Sequence, residues 1–230
     1  MASRTKEEVL SYLGVSASSY SFDHGGVHLV VLDGCHYRVD GITHPYCRGD
    51  YKKIPDDADI SVLSPETLAW LEKDLQRATA PAVLFSHQSL IESRASIANT
   101  EALRRILRNA PHGVLLCICG HEHVDRLEKH EGIYYLCLNS MSYYWAGRPY
   151  SHTTYGEEIE KAHRYLPMVF PFRDPLFATV TITDEAITVC GRTSQIVGAS
   201  PEELHFVREG LVDPITAAIS DRVLPLLPHT

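Results

Sequence analysis

Two histidines, one residue apart, end the apolar run Val114-Leu115-Leu116-Cys117-Ile118-Cys119-Gly120-His121-Glu122-His123. A third ends a second apolar run, Ala82-Val83-Leu84-Phe85-Ser86-His87. Neutral imidazole nitrogens are ligands for zinc and the first-row transition metals, and three of them converging at strand ends could hold such an ion. A glycine just before the pair offers a sharp backbone turn from which both rings can project. The chain has 13 histidines, so most need another explanation. His24, His44, His112, His130, His152 and His229 lie beside Gly, Pro, Glu or Thr and read as ordinary turn or surface residues.

The elements that must position the three rings follow from hydrophobic pattern. Both apolar runs read as buried strands, and ligands in open α/β sheets gather where such strands end. Between them Asn99 or Thr100 can cap a helix with Leu103, Ile106 and Leu107 inward and Arg104, Arg105 and Arg108 mostly outside. A strand, helix, strand crossover implies parallel pairing, which puts His87, His121 and His123 on one sheet edge. Upstream, Thr5-Lys6-Glu7-Glu8 is a capping box ahead of Val9, Leu10 and Leu13. Tyr20 to Phe22 and Val27 to Leu32 read as a hairpin, and Ser64-Pro65-Glu66 opens a helix with Leu68, Leu71 and Leu75 as its core stripe beside Trp70. Further hairpins are expected at Arg126 to Leu138 and Leu176 to Cys190. Residues 36–63 and 143–175 read as inserted loops, and 200–230 as a helical tail with helices near Glu202 to Arg208 and Ile215 to Val223.

At Ser86-His87 and Gly120-His121-Glu122-His123 the chain resembles the later half of the calcineurin-like metallophosphoesterases. Val30 to Gly34 and the Asn99 to Leu107 helix look most like the ADP-ribose and CDP-alcohol diphosphatase type within that family. The resemblance implies an α/β/β/α sandwich lacking its N-terminal strands, formed by residues 1–230 as a single domain. It also implies a dinuclear centre of two divalent ions (Mn, Fe, Zn or Co), with His87 and His121 on one metal and His123 on the other. The expected substrate is a small phosphorylated molecule: a phosphomonoester, a phosphodiester or a nucleoside diphosphate derivative.

The family's first three motifs, Asp-x-His, Gly-Asp-x-x-Asp and Gly-Asn-His, have no counterpart here. Asp33-Gly34-Cys35-His36 has the wrong spacing for the first, and Gly49-Asp50-Tyr51-Lys52-Lys53 lacks the final carboxylate of the second. The expectation is therefore the C-terminal portion of a longer enzyme, inactive by itself because a missing N-terminal half would complete the site. Two alternatives stay open: a non-catalytic binding or regulatory module that retains the phosphoesterase fold, and a mononuclear zinc site built from His87, His121 and His123 with a water in the fourth position.

Composition bounds these choices. A chain of 230 residues with 44% hydrophobic content can bury one sizeable core without disulfide staples. Its net charge of -8 and lack of a basic run exclude a nucleic-acid scaffold, so a phosphate must be held locally. Arg94 is a candidate phosphate clamp, and Asn139 and Tyr144, in the aromatic-rich stretch after Leu138, are candidates for holding a base or sugar. Of the six cysteines, Cys117, Cys119 and Cys137 fall in expected buried strands, which favours free thiols and a reducing, cytoplasmic setting. No apolar run is long enough to cross a bilayer, and an upstream export signal would be invisible.

Overall fold

Capping chemistry opens the first helix, α1 (Lys6–Leu13): the Thr5 hydroxyl accepts from the Glu8 amide at 3.2 Å, and the Glu8 carboxylate accepts from the Thr5 amide at 2.7 Å. The computed structural model describes residues 5–46, 54–93, 95–206 and 213–226. It divides the chain into two compact units, Met1–His121 with Glu128–Leu136, and Glu122–Leu127 with Cys137–Thr230.

In the first unit, β1 (Tyr20–His24) and β2 (Val27–Leu32) form the expected hairpin, paired from Tyr20 with Val31 to His24 with Val27. Gly25 and Gly26 both have positive φ, the requirement of a two-residue turn whose twist matches its strands. The stretch from residue 36 corrects its reading as a loop. It contains β3 (His36–Val39), β4 (Ile42–Pro45) and β5 (Asp59–Ile60), a small antiparallel sheet in the order β4-β3-β5. Asp40 and Gly41, at φ 50° and 76°, make the same kind of tight turn between β3 and β4.

Next comes α2 (Pro65–Arg77), where Ser64 Oγ accepts from the Thr67 amide at 3.1 Å and Leu71 and Leu75 are buried. β6 (Ala82–Ser86), α3 (Thr100–Arg108) and β7 (Val114–Cys119) form the strand, helix, strand crossover, with β6 parallel to both β2 and β7. Asn99 precedes α3 without capping it. Its amide instead pairs with the Leu63 backbone, accepting at 3.0 Å and donating at 2.8 Å, which ties the start of α3 to the segment entering α2. Arg104 departs from the expected outward placement: its side chain is only 12% exposed. With β8 (Arg126–His130) and β9 (Ile133–Cys137), the mixed sheet has the order β1-β2-β6-β7-β9-β8.

One sheet face presents Val30, Leu32, Ala82, Leu84, Cys117 and Tyr135 to Leu71, Leu75, Leu103 and Leu107, forming the core. On the other, Val31, Phe85 and Ile118 share a 750 Å³ cavity with Val9, Leu10 and Leu13 of α1. This is an α/β fold built on a central mixed sheet.

His28, at the start of β2, is buried between two carboxylates, with Nδ1 2.6 Å from Asp23 Oδ1 and Nε2 3.0 Å from Asp74 Oδ2. Ser21 Oγ donates to the second carboxyl of this pair, Asp74 Oδ1, at 2.9 Å. Burial alone would lower the imidazole pKa, but the hydrogen bonds and charges of Asp23 and Asp74 outweigh it and leave the value raised. A raised folded-state pKa stabilises fully below the unfolded histidine value, and that contribution is lost as pH rises through the folded value. The first unit is therefore expected to lose stability as pH rises above the ordinary histidine range. His28→Leu should flatten that part of the profile in urea unfolding monitored by circular dichroism; an unchanged slope would contradict the assignment.

The second unit contains β10 (Tyr143–Trp145), α4 (Glu157–Ala162), β11 (Val169–Pro171), β12 (Thr179–Ile182), β13 (Ala186–Cys190) and β14 (Arg222–Pro225). Residues 143–175 are thus more than a loop, because β10 and β11 pair antiparallel from Tyr143 with Pro171 to Trp145 with Val169. The expected β12–β13 hairpin is present, and β14 completes a three-stranded sheet in the order β12-β13-β14. This corrects the expected helix at Ile215 to Val223. Val223 is 69% exposed and Leu224 3%, the alternation of a strand. Residues 201–205 form turns rather than a helix, and 207–212, with the rest of the expected Glu202 to Arg208 helix, lie outside the described residues. Cys117, Cys119 and Cys137 are buried, as their place in apolar strands predicts. Among the described residues no helix is long and apolar enough to cross a membrane.

Candidate functional site

Parallel pairing of β6 with β7, with Phe85 opposite Ile118, brings the two strand tips side by side. The Gly120 amide donates to the His87 carbonyl at 3.1 Å, extending this contact one step past the strands. There the two rings meet: His121 Nδ1 lies 2.9 Å from His87 Nε2, with ring centroids 4.7 Å apart and planes at 76°. At that distance one nitrogen donates and the other accepts, so the bridge needs at least one neutral imidazole. Desolvation first, and the His121 charge second, hold the His87 pKa below the usual histidine value. A lowered pKa preserves the lone pair that a metal requires.

The turn that presents these rings differs from the one expected. Gly120 has no positive φ; the left-handed conformations fall on His121 at 67° and His123 at 58°. Side chains rarely adopt this backbone region, and such strain concentrates at functional positions.

His123 belongs to the second unit. Its segment is held by ion pairs: Glu122 Oε1 with Arg126 Nη2 at 3.0 Å, Arg126 Nη1 with Asp213 Oδ2 at 2.8 Å, and Asp125 Oδ1 with Arg222 Nη1 at 2.8 Å. Asp125 Oδ2 also accepts from the Ser220 amide and hydroxyl at 2.9 and 2.6 Å. The His123 ring lies 5.2 Å from that of Tyr143.

Of the expected site residues, the structure brings His87 and His121 together. Among the described residues, no group of three or more His, Cys, Asp or Glu side chains is arranged to hold a metal ion. Arg94 lies outside the described residues. The Asn139 amide is committed to backbone, donating to the Thr216 and Ala218 carbonyls at 2.6 and 3.1 Å and accepting from the Ser140 amide at 2.8 Å. Tyr144 is 1% exposed and packs against Phe170 and Phe206. The exposed rings beside it are Tyr143 and Trp145, as strand alternation dictates.

Asp33, whose spacing to His36 fails the Asp-x-His motif, follows β2 immediately, beside β6. Its Oδ2 accepts from Lys6 Nζ at 2.5 Å and its Oδ1 from the Cys35 amide at 2.9 Å. Although burial alone would raise the Asp33 pKa, these bonds outweigh it and keep the carboxyl below its ordinary value. Asp33, Lys6, Gln88 and His87 all line the cavity beneath α1. A signal in the sequence was the place of Asp33, first polar residue after an apolar strand.

Fold and site together define an α/β protein with a facing histidine pair at the tips of adjacent parallel strands. No family model matches the chain, and no curated protein matches it. Among solved structures it is similar to GAP50, the anchor in the inner membrane complex of Plasmodium, at 12% identity and a TM-score of 0.42. That alignment covers 91% of this chain and 53% of the other, so the chain spans about half the length of that structure.

Proposed function

We propose that this chain carries the histidine share of a dinuclear, metal-dependent phosphoesterase centre of the calcineurin-like type. Its substrate would be a phosphomonoester, a phosphodiester or a nucleoside diphosphate derivative. The observation that supports this most is the 2.9 Å approach of His87 Nε2 to His121 Nδ1 at neighbouring strand tips. The donor chemistry suits a divalent ion of the Mn, Fe, Zn or Co kind, because both ligands are imidazoles and His87 is held toward its neutral form. Donor number is smaller than such a centre needs: carboxylates must join the pair, and among the described residues no such group of three is present. The chemistry such ions supply when bound is neutralisation of the phosphoryl oxygens and activation of water.

The chain's own residues would act by position. His87 and His121 would hold one ion at the strand tips of the first unit. The αL backbone at His121 and His123 bends the chain where it carries these rings, and the Arg126 and Asp125 ion pairs hold the segment that carries His123.

Metal analysis after dialysis against Mn or Zn tests the reading. The expected result is weak retention, well below one ion per chain and reduced by His87→Ala; retention of a full ion per chain would instead favour a mononuclear zinc site. Retention of none, or retention unaffected by His87→Ala, would favour the other reading that the lack of a carboxylate group supports: a non-catalytic binding or regulatory module with the phosphoesterase fold.

A further inference from the structure

We infer that the cavity beneath α1 in the first unit binds a neutral, mainly apolar molecule carrying a hydrogen-bonding head such as a hydroxyl, with α1 as its lid. The inference goes beyond the metal reading and needs no metal. At 750 Å³ the cavity has the size of pockets that enclose small organic ligands. Its two walls are apolar for separate reasons. Strand alternation turns Val31, Phe85 and Ile118 away from the core that their neighbours Val30, Leu84 and Cys117 join. On the opposite wall, Lys6, Val9, Leu10 and Leu13 follow the helical spacing that puts residues on one face of α1.

Burial of such a face is what holds most helices in place, yet no residue of α1 is buried, and Val9 and Leu13 are 41% and 63% exposed. The helix is tied down at its first residue instead, where Lys6 Nζ donates to Asp33 Oδ2 at 2.5 Å. An apolar ligand between α1 and the sheet would remove both walls from water at once, supplying the contact that the helix otherwise lacks.

Polar groups define the head of that ligand. Gln88 lines the same cavity and is 3% exposed. Its Nε2 donates to Cys35 Sγ at 3.7 Å, but its Oε1 is buried with no hydrogen-bond partner among the described residues. That oxygen rests against Gly34, where an added Cβ would come within 2.6 Å of it, and Gly34 and Cys35 line the cavity too. An unpaired buried acceptor is costly, and a ligand hydroxyl or amine donating to it would remove the cost. Charge argues against an acid: the Lys6 ammonium is already matched by Asp33, so a ligand carboxylate would meet that negative charge without compensation.

N-phenyl-1-naphthylamine, a neutral apolar probe that brightens out of water, tests this on the intact, metal-free chain. Saturable brightening is expected, reversed by dodecan-1-ol at concentrations about tenfold below those that dodecanoate needs. Leu10→Trp and Val31→Phe fill the cavity from opposite walls, and each should weaken probe binding about tenfold with unchanged circular dichroism. Gln88→Met, similar in length but without the amide, should weaken displacement by dodecan-1-ol about tenfold. Lack of saturable brightening would overturn the inference and leave this face to a polypeptide partner. Equal displacement by alcohol and acid, or undiminished probe binding in the folded Leu10→Trp and Val31→Phe variants, would also overturn it. Because every measurement is made without metal, a failed metal-retention experiment leaves these results standing.

Discussion

Replacing His121 by glycine is expected to cut metal affinity by more than about 100-fold, since even groups that only orient a metal ligand are worth 10- to 100-fold. Metal-dependent turnover of a nitrophenyl phosphate ester should fall with it in any form of the protein that shows such turnover. The same change should leave folding stability equal or raise it by up to about 1 kcal/mol, because residue 121 sits at φ 67° where only glycine is free of strain. The opposite signs of the two effects give the test its force. A ring retained for packing would make His121→Gly destabilising, whereas a ring held in strained backbone for its nitrogen should show lost affinity beside retained stability. Isothermal titration with Zn or Mn, paired with urea unfolding of the same preparation, reads both. Undiminished metal affinity would remove the site.

Gly191→Ala should damage the second unit more than the same exchange at its other described glycines. A Cβ at residue 191 would lie 1.9 Å from the Ile219 carbonyl oxygen and 2.5 Å from its carbonyl carbon. Neither atom is the flexible end of a side chain, so the segment leading to β14 must move. Around this contact the Gly191 amide donates to Asp221 Oδ1 at 2.8 Å and the Ile219 amide to the Arg192 carbonyl at 2.8 Å. Separating the segments would strain both bonds and the packing of Ile219, which is 3% exposed. A loss of about 3 kcal/mol is expected, read as a lower urea midpoint. Gly132→Ala is the control: its positive φ strains any side chain, but nothing lies within 4 Å of the added carbon, so its cost should be smaller. Equal midpoints for the two variants would show that the close approach does not matter.

The elements with strong local signals were legible before any coordinates. The Thr5 to Glu8 capping box, the Ser64-Pro65 helix start and the apolar runs before His87 and His121 each depend on neighbours a few residues away. The elements that were misread depend on distant partners. Residues 222–225 became a strand because β13 offers them an edge, and the small sheet within 36–63 forms because β5 returns to β3 after a long excursion. Asn139 and Tyr144 show the same limit at the level of side chains. Composition marked them as binding residues, but Asn139 is taken up by the Thr216 and Ala218 carbonyls and Tyr144 by the Phe170 and Phe206 rings.

By itself, then, the amino-acid order determined which residues could ligate a metal, and which two parallel strands would carry His87 and His121 to one edge, because periodicity and crossover handedness are local consequences of chain geometry. Tertiary structure decided that these two rings face one another at 2.9 Å, that the strain falls on the histidines rather than on Gly120, and that Tyr144 is buried while Tyr143 and Trp145 are partly exposed. Those outcomes turn on distances between segments far apart in the chain, which side-chain packing sets and residue spacing does not encode.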